Sequence, residues 1–455
     1  MAQCDTEILQ KKLLILADDL TGALDTGVQF AKRGIETCVY PFFPAVQEPL
    51  AQNISVRVIN TNSRHASAEE ARKIIMAAVS AFKTYSFFYK KTDSCLRGNI
   101  GAELEALIHA TGSRQLAFIP AYPALKRSTK EGSQCLDGEL IHKSDMAKDP
   151  QNPITESYIP TIIEKQSAIP VRLIPINGDI PVNSENPASQ NTPEIMVFDA
   201  ERLEHLINIA NELLARKMLI TSAGCAGFAE ALMEVLPLGK KYAAPNTDDY
   251  EAINKAESLK NTIKKLPMLI VSGSLHSVSV NQIKAALTKG IPGYSIDGEI
   301  MTGSGWNESM AAETLVASCA LALEQQGICI LGTEAAFGNT SASQDGVTPK
   351  AKTANGKADV AIVSDNIANA LGKIALKIMQ KIGPLHLVVF GGDSLLGIIK
   401  ALNYNLLIPI KEVLPGIVLS RPAVETGCGL LVSKAGAFGD KDLIHKIEEC
   451  IGRLD

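Results

Sequence analysis

Short continuous apolar runs alternate with stretches of helical period along nearly the whole chain. Strands buried on both faces of a parallel sheet carry such unbroken runs, and the helix-period stretches between them supply the covering layers. In the first half the pattern predicts strands over 13–17, 37–40, 56–60, 87–90, 116–119, 171–176, 195–198 and 218–221. Helices are predicted over 68–82, 100–109, 203–216 and 228–235. The second half predicts strands over 268–272, 328–331, 385–390, 406–409 and 429–433, with helices over 278–287, 309–326, 367–382 and 395–402. This is the alternation of an α/β protein. It implies two domains, each a mainly parallel sheet flanked by helices, with the active site in the cleft between them.

The interruptions set the boundaries. Residues 237–265 are polar and charged and read as the connection between domains. The expected division is therefore 1–240, a linker at 241–266, and 267–455. Residues 178–194 read as a surface excursion. Residues 332–359, rich in Ser, Thr, Asn, Gly and Lys, have the length of a lid or a disordered excursion. A chain of 455 residues is long for a single core, which agrees with two domains.

Composition excludes more than it assigns. A net charge of −5 offers no electrostatic footprint for nucleic acid, and a single Trp offers few stacking platforms. The nine cysteines contain no C-x-x-C pair, so neither a zinc site nor a disulfide framework is signalled. The opening residues lack an apolar signal core, and no apolar run reaches membrane-spanning length. A cytoplasmic protein without membrane or nucleic-acid partners is expected.

Candidate chemistry begins at the end of the first strand. Asp18 and Asp19 follow it, then Thr21, Gly22 and a helix closed by Gly34. Ligands of open α/β sheets sit just past the carboxyl ends of strands. Asp and Thr also serve as helix N-caps, but one cap suffices for one helix and this turn holds three candidates. Other strand ends add to the set: Arg64 in TNSR, then Lys91, Asp93, Ser94, Arg97 and Asn99 in KTDSCLRGN, then Tyr122, Lys126 and Arg127. Each has a plain alternative, Arg64 as a solvated loop residue and Asp93 or Ser94 as a cap of the following helix. Lys90 and Lys91 point to opposite faces of a strand, so at most one faces a site. Together these carboxylates, cations and hydroxyls suit a small, anionic, hydroxyl-bearing molecule.

In the second half, SGSLHSVS (272–279), FGGDSLLG (390–397) and SKAGAFGDKD (433–442) are glycine-rich turns placed after strands. Small residues ahead of a helix let backbone N–H groups surround a phosphate. His276 reads as a turn residue. Neither a G-x-x-x-x-G-K-[ST] loop nor a G-x-G-x-x-G turn is present.

These residues resemble the four-carbon acid sugar kinases. ILADDLTGALDTGVQFAKRG resembles that family's opening motif, and KKTDSCLRGNIGAEL its second signature. VSGSLHSVSVNQI, FGGDSLLG and KAGAFG resemble its nucleotide-domain motifs, in the same order. The resemblance implies ATP-dependent phosphorylation of threonate, erythronate or 3-oxo-tetronate, with an N-terminal substrate domain and a C-terminal nucleotide domain. It implies substrate contacts from Asp18, Asp19, Arg64, Lys91, Thr92, Asp93 and Ser94. It places ATP near Ser274, Gly391, Gly392, Asp393, Ser394 and Gly436. The opening motif looks closest to the threonate branch. Cys95 stands where Thr is common, and 332–359 is longer and more polar than usual; both bear on substrate choice.

The expected mechanism has Asp19 or Asp18 taking or orienting the acceptor hydroxyl's proton, with Asp93 in reserve. Arg64 and Lys91 fix the acid's carboxylate. Mg²⁺ accompanies ATP with its ligands unassigned, Asp393 being a metal ligand or a helix cap, and a homodimer is the one assembly entertained. A nicotinamide-dependent oxidoreductase and a two-lobed binding protein are the rival readings.

Overall fold

Every residue of β1 (Leu13–Ala17) is buried, as a strand covered on both faces demands. The computed structural model describes residues 11–43, 54–148, 153–180, 192–238, 266–296, 308–338, 358–423 and 428–453. Residues 241–265 of the expected linker and most of 332–359 lie outside the described residues. Chain contacts divide the protein into two units: Met1–Cys38 with Phe42–Ala244, and Val39–Pro41 with Pro245–Asp455.

After β1 come β2 (Thr37–Tyr40), whose residues are divided between the units, and then, in the first unit, β3 (Val56–Asn60), β4 (Phe87–Lys91), β5 (Gln115–Ile119), β6 (Arg127–Lys130), β7 (Ser133–Leu136), β8 (Glu139–Leu140), β9 (Val171–Ile174), β10 (Glu194–Phe198) and β11 (Thr221–Gly224). The main sheet runs β2-β3-β1-β4-β11-β5-β10-β9, and β6, β7 and β8 form a separate antiparallel sheet. Helices α1 (Leu20–Ala31), α2 (Ala68–Ala81), α3 (Ile100–Thr111), α4 (Ile159–Glu164), α5 (Leu203–Ala215) and α6 (Ala226–Val235) connect the strands. A capping box at Ser67 and Glu70 starts α2, and Gly112 in the left-handed region ends α3.

Register positions the site. β1 lies between β3 and β4, parallel to both, with Ala17 opposite Asn60 on one side and Lys91 on the other. The segments that follow, 18–19, 61–64 and 92–94, therefore leave the sheet side by side at one edge. That is the crevice where a doubly wound sheet binds its ligand.

The second unit holds β12 (Met268–Ser272), β13 (Gly293–Ile296), β14 (Ile328–Thr333), β15 (Leu385–Phe390), β16 (Leu407–Leu414), β17 (Ile417–Pro422) and β18 (Cys428–Lys434). Their order is β13-β14-β12-β15-β18-β17-β16, parallel from β13 to β18 and antiparallel beyond. Helices α7 (Ser277–Thr288), α8 (Met310–Gln326), α9 (Ala358–Ile382), α10 (Gly392–Ala401) and α11 (Leu443–Gly452) flank it. No described helix is long and apolar enough to cross a membrane.

Most predicted elements stand within a few residues of their places. The strand predicted at 218–221 is instead Thr221–Gly224, because Met218 closes the turn after α5 by donating its N–H to Leu213 O at 2.8 Å. β11 is made of small residues for a packing reason. A Cβ on Gly224 would strike Ile119 O and lie 2.9 Å from the Tyr89 hydroxyl. The helix predicted at 367–382 starts at Ala358, and the strand predicted at 406–409 runs on to Leu414. The β6–β8 sheet, β13, β17, α4 and α11 had no counterpart in the pattern reading.

Candidate active site

At the end of β1 the two aspartates diverge. Asp18 is 2% exposed and its Oδ2 accepts from Arg64 Nε at 2.7 Å. Asp19, its side chain 19% exposed, faces outward. Asp19 is also the N-cap of α1: Oδ1 accepts from Gly22 N at 2.9 Å, and Oδ2 accepts from Thr21 Oγ1 at 2.5 Å. Arg64 spans both carboxylates, reaching Asp19 through Nη1 at 3.0 Å and Nη2 at 2.8 Å. Capping and site chemistry are thus combined in one residue. Burial pushes the Asp19 carboxyl up, but Arg64, Lys91 and the Thr21 hydroxyl outweigh it and hold it below the usual carboxylate range. Asp19 stays ionised at neutral pH.

The TNSR loop that carries Arg64 is anchored from behind. Ser63 Oγ donates to Glu103 of α3, and Glu103 pairs with Lys90 at 3.1 Å, with all three side chains buried. Asn99 Nδ2 donates to Ser63 O and to Ala66 O, each at 2.9 Å. Asn62 sits at φ 49°, with its N–H held by Asn60 Oδ1 at 3.0 Å. Burial pushes the Glu103 carboxyl up against the pull of Lys90.

Lys91 emerges on the other face of β4. Its Nζ donates to Thr92 O at 2.8 Å and passes over Gly22, where a Cβ would lie 2.8 Å from it. Only glycine leaves room there. Asp93 is gripped by Arg97 through Nε at 2.7 Å and Nη2 at 3.0 Å. Burial pushes Asp93 up, yet Arg97 and Arg64 hold it well below the usual range. Ser94 Oγ accepts from Arg127 Nη1. Asp93 and Ser94 are not caps of α3. Its N-cap is Asn99, which spends its amide on the TNSR loop.

Not every candidate converges. Thr92 turns inward, donating to Gly224 O at 3.2 Å. Lys126 is exposed and paired with Asp137 at 2.9 Å, and Tyr122 packs on Cys225 and Ala226. Arg127 of that group reaches a site residue, Ser94.

In the second unit the three glycine-rich turns come together. A Cβ on Gly273 would lie 2.5 Å from Ser394 Oγ. One on Gly391 would lie 3.5 Å from Ser274 Cβ, and one on Gly436 would lie 3.0 Å from His276 Cβ and 3.2 Å from Ser274 Oγ. Gly391, at φ 104°, is the N-cap of α10 and offers no side-chain cap. Asp393 and Ser394 therefore stand in the first turn of α10, and Asp393 is not its cap. Asp393 Oδ2 accepts from Ser364 Oγ at 3.1 Å. His276 is the N-cap of α7, accepting from Val278 N at 3.3 Å. An uncapped helix N-terminus lined by glycine is an anion cradle.

Pattern reading passed over Lys434. It is fully buried at the end of β18, and its Nζ donates to Ser279 Oγ at 2.6 Å and Gly436 O at 2.9 Å, 4.7 Å from the Phe390 ring. Burial alone lowers its pKa to about 7. A lysine closing the apolar run GLLVS was the available signal. Among the described residues no cluster of three or more His, Cys, Asp or Glu could hold a metal ion.

Two family models match the chain. A sugar-binding N-terminal domain model matches residues 13–232, and a nucleotide-binding C-terminal domain model matches residues 269–444. A D-threonate kinase of Salmonella typhimurium is 29% identical over 455 residues, covering 96% of this chain and 99% of that one. A D-erythronate kinase of Heliobacterium modesticaldum is 32% identical over 240 residues, covering 50% of this chain and 54% of its own. Among solved structures, a Salmonella typhimurium LT2 protein named as a tRNA synthase aligns with TM-score 0.69 and 21% identity, over 96% of this chain and 98% of that one. At that identity the likeness speaks for the fold alone.

Proposed function

The chain belongs to the four-carbon acid sugar kinase family, and on that premise we propose that it transfers the γ-phosphoryl group of ATP to the terminal hydroxyl of D-threonate, giving 4-phospho-D-threonate. The observation that carries this reading is the chemistry of the first unit's site: a partly open, ionised Asp19 beside the Lys91 ammonium, over a rigid buried frame. D-threonate is favoured because a relative named for it is 29% identical over nearly the whole of both chains, against 25% for one named for 3-oxo-tetronate over nearly the same extent. D-erythronate and 3-oxo-tetronate are the alternative acids.

Phosphoryl transfer asks for positioning and charge stabilisation more than covalent help. In this reading Lys91 holds the acid's carboxylate together with the N–H groups Arg64 has left after binding the aspartates. Asp19 accepts and orients the terminal hydroxyl. Asp18, closed off from solvent, fixes Arg64 instead, and Asp93 is too firmly held by Arg97 to act as a base.

The place where the three glycine-rich turns of the second unit meet suits a phosphate chain. Side chains at Gly273 or Gly436 would fill it, and the first turn of α10 directs backbone N–H groups towards it. Mg²⁺ typically needs only one or two carboxylates beside phosphate oxygens and water, so Asp393 would be the residue to hold it. When bound, the ion neutralises charge on the transferring group. Transfer requires the two units to present these sites to each other, with water excluded.

Product identification tests the proposal. Incubation with ATP, Mg²⁺ and D-threonate should yield a phosphomonoester whose phosphorus couples to the C4 protons in ³¹P NMR. Phosphate on another carbon, or inorganic phosphate alone, would refute it. NADH fluorescence should not change on titration, which separates this reading from an oxidoreductase.

A further inference from the structure

The small antiparallel sheet grips one site residue twice. Arg127 of β6 donates Nη1 to Ser94 Oγ, and Gln134 of β7 donates Nε2 to Ser94 O at 3.1 Å. Gln134 is itself fixed, its Oε1 accepting from Thr129 Oγ1 at 2.9 Å and its Nε2 also donating to Pro120 O at 3.1 Å. Arg127, Thr129 and Gln134 are all buried. Leu96, two residues past Ser94, holds φ 65°, and Gly98 holds φ 91°, so the chain turns sharply just past this grip.

Hydrogen-bond polarity then decides what Ser94 can do. A guanidinium only donates, so Ser94 Oγ must accept from Arg127. The hydroxyl's own proton is left to donate, and it has no acceptor among the described residues. A donor on the loop that follows Lys91, next in sequence to Asp93, which lies 3.9 Å from Arg64, complements a carboxylate, which has acceptors only. Substrate hydroxyls can be met by Asp19 instead.

Resting on the kinase reading above, we propose that Arg127 is a positioning residue for substrate choice. By accepting no bond and giving one to Ser94, it turns the Ser94 hydroxyl into a dedicated donor to the carboxylate of the sugar acid. The β6–β8 sheet is the frame that holds the pair in place.

A double-mutant cycle on the full-length protein tests this. Ser94→Ala and Arg127→Gln should each raise KM for the acid about tenfold, the scale of one hydrogen bond to a charged group, while KM for ATP and kcat change less than twofold. The double variant should be no worse than either single one, because both remove the same bond. Arg127→Lys, which keeps a donor, should recover part of the loss. The preference for the acid over the matching four-carbon polyol should fall in step with KM. Additive losses, a lowered kcat, or an unchanged acid-to-polyol ratio would overturn the proposal. Should Arg127→Gln not fold, Ser94→Ala and Arg127→Lys still decide it through the same ratio. Failure of the kinase reading would show separately, as wild-type protein that phosphorylates no four-carbon acid.

Discussion

Lys90 and Lys91 are neighbours in one strand, yet their ammonium groups serve opposite faces of the sheet. Lys90 pairs with Glu103 at 3.1 Å in a site where both side chains are no more than 1% exposed, whereas Lys91 crosses Gly22 towards Asp19. Replacing one partner of a buried pair strands the other charge, at a cost of about 3–5 kcal/mol. Lys90→Met should therefore lower the urea midpoint strongly. Lys91→Met should leave the midpoint nearer wild type and raise KM for the acid. Equal effects of the two changes on KM would contradict the assignment.

Asp19 and Asp18 differ in the same way. Asn caps helices as well as Asp does, so Asp19→Asn should keep α1 and the fold while losing the charge. Removal of general-base help should reduce kcat by about 10²–10⁴-fold. Steady-state kinetics beside a thermal melt checks both halves. Near-normal turnover in the folded variant would rule Asp19 out.

Gly436→Ala should act on the nucleotide alone. Its new Cβ would lie 3.0 Å from His276 Cβ and 3.2 Å from Ser274 Oγ, where the glycine turns meet. KM for ATP should rise about tenfold or more, and KM for the acid should hold within twofold.

Lys434 gives a pH signature. Burial lowers its folded pKa to about 7 from the ordinary 10.5. Between about pH 7 and about pH 10.5 the unfolded chain holds a proton that the folded chain has lost. Stability from this group therefore rises with pH across that window, and below about pH 7 the burial penalty is at its full value. Lys434→Met removes the group, so the urea-midpoint difference, wild type minus variant, should increase from pH 7 to pH 9. A flat difference would show that the ammonium is not desolvated.

Much of this architecture was legible in the chain because buried parallel strands write themselves as apolar runs. Leu13–Ala17, Val56–Asn60 and Leu385–Phe390 fell where the pattern set them. Thr221–Gly224 did not, since a strand squeezed between Tyr89 and Ile119 needs small residues and loses its apolar mark. The β6–β7 hairpin escaped for the opposite reason: three of its buried members, Arg127, Thr129 and Gln134, are polar, with Thr129 bonded to Gln134 and both Arg127 and Gln134 bonded to the Ser94 loop. Among the site candidates, Asp18, Asp19, Arg64 and Lys91 could be named from strand ends alone. Their division of labour could not. Which aspartate is closed off, and which lysine turns inward, depends on contacts with α3 and Arg64 that no local spacing records.

The central claim is that this chain phosphorylates a four-carbon sugar acid, and acid-dependent ADP release measures it most directly. With ATP and Mg²⁺ the full-length protein should release ADP only when such an acid is added, with the highest kcat/KM for D-threonate among D-threonate, D-erythronate and 3-oxo-tetronate. Release at the same rate without any acid, or no release with all three, would contradict it.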